Sequence, residues 1–463
     1  MKPTSKRFAY LAAALLVATP ALAQQNVASA SGKTDTSTTA TDSTAKAAKA
    51  ASISLERPIE IQYYRPQDKR GLTLFETPKN SGVPFEGFKL SWGAAFTQQF
   101  QSLSHENAAT PKVVSGVDQN KLMEIGDGFN NAVANLYLNA QLAPGIRIAL
   151  TSYLSSRHHN ETWVKDGYIL IDESPFKVAA LEKLMKYVTL RVGHFEVNYG
   201  DAHFRRTDNG NALYNPFVGN LIMDAFTTEI GGEVYIRANG LLAMGGITAG
   251  ESRGMVTRPN DRSYAYVGKL GFDRQFTENL RLRLTGSTFQ QARSTSNTLY
   301  AGDRAGSRYY WVMENTLATE SANFRSGLIN PGLGSKVKAY MVNPFAKYRG
   351  LELFGVIEQA KGRAANETDM RTWNQYAGEV LYRFFPGEKL FVGYRYNKAK
   401  GALTGIANDV ALDRSQFGGG WFLTNNLLMK AEYVTQKYLD FPAADIRKNG
   451  KFNGVMIEAT VAF

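Results

Sequence analysis

The stretch "NNAVANLYLNAQLAPGIRIALTSYLSSR", residues 130–157, decides the fold. Ala132, Ala134, Leu136, Leu138, Ala140 and Leu142 share one parity, while Asn131, Asn135, Asn139 and Gln141 share the other. A period of two marks a strand, because successive side chains point to opposite faces of a pleated chain. "APG" then turns the chain into "IRIALTSYLSSR", completing a hairpin with one apolar and one polar face.

The same alternation begins at residue 88. In "KLSWGAAFTQQFQ", Leu90, Trp92, Ala94, Phe96 and Phe100 oppose Lys89, Ser91, Thr97, Gln99 and Gln101. Continued along the chain, the pattern predicts strands near 88–102, 129–142, 146–157, 161–172, 186–197, 226–237, 241–250 and 262–273. Eight more follow near 279–290, 335–348, 351–361, 371–384, 388–399, 410–424, 427–438 and 450–463. The connections alternate in length. "APG", "ANG", "RQFTE", "RG", "FPGE" and "NN" fall on one side, and 103–128, 198–225, 251–261, 291–334, 362–370, 400–409 and 439–449 on the other. "HHN" at 158–160 is a short exception among the long loops, and "ESPFKVAALEKLMKY" a long exception among the turns, with room for a helical turn or two. Short periplasmic turns and long external loops are the habit of outer-membrane barrels. The expectation is an all-β, sixteen-stranded antiparallel transmembrane β-barrel over 88–463, with both termini periplasmic. Trp92, Phe96, Trp421 and Phe463 should face lipid or its interface. A soluble sandwich would instead bury its aromatic face.

Composition supports an exported membrane protein without long apolar helices. Lys2, Lys6 and Arg7 precede the apolar "FAYLAAALLVATPALA", and Ala21-Leu22-Ala23 forms a small-residue cleavage site, so 1–23 reads as a signal peptide. Losing those three cations takes the formal charge from +12 to +9. No later run of about 20 apolar residues suggests a membrane helix. Aromatics make up 12% of the chain and mean hydropathy is slightly negative, as expected when each strand has one wet face. There are no cysteines, so disulfides and thiolate chemistry are excluded. Residues 24–56, rich in Ser, Thr, Ala and Lys, read as a disordered periplasmic linker, and 57–87 as an irregular segment that docks elsewhere. The C-terminal "GVMIEATVAF" alternates and ends in Phe463, as a strand read by the barrel assembly machinery does.

The stretch "LRVGHFEVNYGDAHFRRTDNG" resembles the phosphate-selective porin O/P family, through Val192, Gly193 and Phe195 and more loosely Tyr199-Gly200. The family's proline is replaced by Val197 or Asn198. The resemblance covers about 88–463. It implies a Gram-negative outer-membrane porin, a passive channel for small hydrophilic or anionic solutes, with the lipid and lipopolysaccharide of its membrane as partners, and a homotrimer. In such porins the connection after the fifth strand folds inward and narrows the channel. Here that connection is 198–225, whose "LYNPFVGNLIMDAF" is interior-like, so its apolar part should pack on the inner wall and its charges should meet solute. Those charges are Asp201, Arg205, Arg206 and Asp208; the constriction loop also carries Asp224 and has no lysine, whereas the family ties its phosphate selectivity to arginines and a lysine cluster.

If the apolar parity faces lipid, the other lines the lumen. It carries Arg147, Arg157, Arg191, Arg237, Lys269, Arg281, Arg283, Lys338, Arg383, Arg395, Arg414 and Lys430 against Glu229, Glu233, Glu352, Glu358, Glu379, Glu432 and Glu458. Twelve cations against seven anions predict a mildly anion-preferring lumen, unless the groups pair across strands. No catalytic set is legible. His105, His158, His159, His194 and His203 have no assignable nucleophile, and no histidine pair has a metal-ligand spacing. "FGGGW", 417–421, lacks the lysine of a phosphate loop. Neither enzyme activity, cofactor, metal nor nucleic-acid partner is expected. The alternative function is a structural or surface-interaction barrel without an open pore, worked through its 291–334 loop.

Overall fold

The computed structural model describes residues 61–79, 82–154, 162–254, 256–301 and 306–463. The expected signal peptide and linker lie outside them, as do Arg157, His158 and His159. Sixteen wall strands follow in order: β1 (Lys89–Glu106), β2 (Val133–Ala143), β3 (Ile146–Leu154), β4 (Thr162–Ile171), β5 (Val188–Glu196), β6 (Thr228–Ala238), β7 (Leu241–Thr248) and β8 (Ala265–Gln275). The second half is β9 (Leu280–Gln291), β10 (Lys336–Tyr348), β11 (Leu351–Arg363), β12 (Arg371–Phe384), β13 (Leu390–Gly401), β14 (Val410–Phe422), β15 (Leu427–Leu439) and β16 (Lys451–Ala462).

Each strand pairs antiparallel with its sequence neighbour, and β1 pairs with β16 from Ala95↔Ala462 to Glu106↔Lys451, so the sheet closes on itself. Ala94 and Phe463 exchange two backbone hydrogen bonds of 3.0 Å, extending that seam to the last residue. Closure satisfies every edge, which is what allows strands to cross a bilayer. A two-residue strand, Gly128–Phe129, adds to the outer end of β1. At the other end, Asn239 and Gly240 have φ of 52° and 84°, the two positive values a type I′ hairpin turn requires. The long turn between β4 and β5 contains α1 (Ala179–Met185). No described helix is long and apolar enough to cross a membrane.

Alternation decides the faces. Trp92, Phe96, Trp421 and Phe463 are exposed on the outside of the wall, together with Ile236, Leu270, Ile357 and Tyr433. An apolar, aromatic-rich outer belt on a closed antiparallel barrel is the architecture of the Gram-negative outer membrane. The chain is an outer-membrane barrel.

Candidate functional site

Much of the inner face is covered by chain. Residues 61–79, 198–227, 297–301 and 306–333 place side chains inside the wall, and many of the apolar ones join wall residues in a buried cluster that includes Phe75, Tyr199, Val218, Ile222, Met223, Tyr309 and Val312, with Leu213 and Phe217 in a second one. The polar inner parity therefore serves mainly to hold these segments.

The segment 198–227 is tied all the way round. Asp201 is fully buried and accepts from Arg283 Nε and Nη2 and from Thr285 Oγ1, each at 2.8 Å, and from Lys269 Nζ at 3.0 Å. Glu76 of the N-terminal segment joins this node, 2.8 Å from Arg283 and 3.5 Å from Lys269. Arg205 lies 2.7 Å from Glu352 and 2.9 Å from Glu379, two carboxylates that also pair with Arg383 at 3.0 Å and Arg395 at 2.7 Å. Farther along, Lys430 Nζ donates to the carbonyls of Ala212, Asn215 and Phe217 at 2.9, 3.0 and 2.9 Å. Glu432 accepts the Val218 amide at 2.8 Å, and Arg414 donates to the Asn220 carbonyl at 2.6 Å. On the opposite wall, Asn209 Nδ2 donates to the Ala134 carbonyl at 2.8 Å. Gly210 lies so close that a Cβ would come within 2.6 Å of Ala134 Cα and 2.7 Å of the Ala95 carbonyl oxygen. Only a residue without a side chain allows that approach.

Two expectations change here. Asp201 and Arg205 were expected to meet solute, but both are sealed against wall partners. Lys338 was assigned to the lumen, but it is exposed on the outer face of β10, alternating with buried Val337 and Ala339. The other described inner charges do point inward. Arg191 pairs with Glu233, Arg281 with Asp273 at 2.6 Å, and Lys430 with Glu458 at 2.5 Å. Cross-strand and segment pairing thus absorbs most of the cationic excess. Arg206 and Asp224 pair at 2.7 Å, with the guanidinium 4.2 Å above the Phe226 ring.

A cavity of about 210 Å³ remains on one side, bounded by β2–β6, the N-terminal segment and the start of the inward segment. Arg206 and Asp208 line it, with Lys165 bridging Asp208 at 3.0 Å and Glu196 at 2.6 Å. His203 lies 2.9 Å from Glu196 through Nδ1. This cluster escapes a sequence reading because Lys165 and Asp166 are adjacent yet both buried inward. The register of β3 against β4 slips from Thr151↔Asp166 to Ser152↔Val164, leaving Lys165 as the extra residue of a bulge. A bulge breaks the period of two at that point. Glu76 and Tyr64 were also missed, since nothing in an irregular segment signals which wall it will meet.

No family model matches the chain, and no curated protein does. Among solved structures it is similar to the anion-selective porin from Comamonas acidovorans, with 12% identity, 81% of this chain and 100% of that one covered, and a TM-score of 0.48. It is also similar to the outer membrane channel DcaP of Acinetobacter baumannii, at 10% identity, 82% and 99% coverage and a TM-score of 0.47. OmpT, an outer membrane protein of Vibrio cholerae, matches at 10% identity, 82% and 99% coverage and a TM-score of 0.46. At these identities the likeness concerns the fold.

Proposed function

We propose that this barrel is an outer-membrane diffusion channel for small hydrophilic solutes, with a weak preference for anions, narrowed by the inward segment 198–227. The observation that carries the reading is the one-sided cavity. Where the rest of the lumen at this level is filled by paired charges and apolar side chains, space persists between Arg206, Asp208 and the wall strands β2–β6. Of its lining cations, Arg191 and Arg206 are paired with Glu233 and Asp224 and Lys165 with Glu196 and Asp208, while Arg65, Arg147 and Arg237 have no carboxylate partner among the described residues. Fixed charge of one sign in excess favours permeants of the other. Phosphate selectivity has no lysine cluster on the inward segment to rest on, so the proposal stops at anions in general.

A homotrimer, lipid and lipopolysaccharide around the outer belt, and assembly machinery reading the strand that ends in Phe463 complete the proposal. The test is the purified chain in a planar bilayer under a salt gradient. Discrete conductance steps, in threes, with a reversal potential displaced toward anions are expected. An electrically silent, folded barrel would favour the second reading, a surface-interaction barrel. That reading draws on the apolar cluster that crosses the lumen from Phe75 to Tyr309.

A further inference from the structure

We infer that Arg147 is the anion-holding residue of a binding site for a small organic carboxylate, set in the cavity beside β2–β5. Arg147 is 3% exposed and lines that cavity, yet its Nε and Nη2 have no hydrogen-bond partner among the described residues. Of the other arginines on this cavity, Arg191 and Arg206 are matched with Glu233 and Asp224, while Arg65 donates to the carbonyls of Gly71 and Phe204 and Arg237 to the Thr77 carbonyl and Thr189. Arg147 alone among these has neither a carboxylate nor a carbonyl to donate to among the described residues. Opposite it on β2 is Gln141, whose amide is spent on Gln62 and on the Ala143 carbonyl, and opposite it on β4 is Leu170. The neighbouring acid, Asp172, makes no ion pair with it: its Oδ1 accepts from Thr189 and lies 3.5 Å from Lys79, and its Oδ2 has no hydrogen-bond partner among the described residues.

A guanidinium out of water without a partner is costly, and its planar fork matches a carboxylate in two parallel hydrogen bonds. The rest of the pocket decides which carboxylate. Tyr64, Tyr137, Tyr168, Ala149 and Leu170 present rings and alkyl surface toward the same space, which suits an apolar body better than the hydration shell of an inorganic ion. At about 210 Å³ the cavity is smaller than the roughly 300–1,000 Å³ pockets that hold drug-sized ligands, so the acid is small. The inference rests on the channel reading, since it names the solute class for which the cavity on that path is built.

The test is calorimetric titration of the folded full chain in detergent with benzoate, its uncharged isostere benzamide, and inorganic phosphate. Benzoate should bind saturably, and benzamide roughly ten- to a hundredfold more weakly, the range of a hydrogen bond to a charged group. Arg147→Met should lose benzoate by a similar factor and Arg147→Lys by less, because lysine keeps the charge without the fork. The wild-type comparison of the two ligands holds even if a variant fails to fold. Equal binding of benzoate and benzamide, unchanged benzoate affinity in folded Arg147→Met, or phosphate displacing benzoate would each overturn the inference. Bilayer silence in potassium chloride with benzoate binding intact would overturn the channel reading alone.

Discussion

Replacing Asp201 by Asn keeps the shape of the side chain and removes its charge from the most heavily contacted node of the inward segment. The carboxylate accepts four hydrogen bonds, three of them from the cations Arg283 and Lys269 of the wall. Removing one partner of a buried ion pair costs about 3–5 kcal/mol. Glu76 stays 2.8 Å from Arg283 and 3.5 Å from Lys269, and Asp273 stays 3.2 Å from Arg283, so both cations retain some compensation and the lower end, about 3 kcal/mol, is expected. Because Asp201 lies on the segment and its cations on the wall, the loss falls on docking and not on strand pairing. At about 1.4 kcal/mol per factor of ten, the undocked population should rise roughly a hundredfold. Hydrogen exchange with mass spectrometry reads this directly, since the amides of Val218, Ile222 and Met223 donate to wall side chains Glu432, Asn397 and Gln375. Peptides within 198–225 should exchange about two orders of magnitude faster in Asp201→Asn while strand peptides stay protected. Unchanged exchange in that segment, or equal acceleration in segment and strands, would refute the reasoning.

Gly210→Ala should undock the segment locally through collision with Ala134 and the Ala95 carbonyl, seen as faster exchange of 203–212 with the barrel still folded. Ile357→Lys, at the middle of β11 on the outer face, should destabilise the barrel by about 2–4 kcal/mol in a lipid-based unfolding titration, whereas the outward Lys338→Ala should leave ion selectivity in bilayers unchanged. A thiol introduced as Thr257→Cys in an exposed long loop should react with an impermeant reagent on intact cells, and one introduced as Glu278→Cys in the short turn between β8 and β9 should not.

The strand count, the short turns and the lipid-facing aromatics were legible because each depends on a local period or a turn dipeptide. The apolar half of the inward segment was legible for the same reason, since "FVGNLIMDAF" has no place on an exposed loop. Faces were harder to assign. In β10, Val337, Ala339, Met341 and Phe345 are inward and apolar because they meet Phe75 and Tyr199 inside the barrel, so neither parity looks wet and Lys338 was placed on the wrong side. Lys165 and Asp166 were hidden by a bulge. The pairing of Asp201 and Arg205 was hidden because their partners, Arg283, Glu352 and Glu379, are contributed by strands at least 82 residues away, and only closure of the wall brings them together.

The central claim is that 198–227 controls passage through the lumen, and single-channel conductance of a chain lacking residues 203–212 tests it most directly. The segment's contacts at Arg205, Asp208, Asn209 and Gly210 go with that deletion, while every wall strand is left intact. The account predicts a clear rise in conductance over the unaltered chain in the same salt, with the barrel still folded by its resistance to detergent. Equal conductance in the two folded proteins would contradict it.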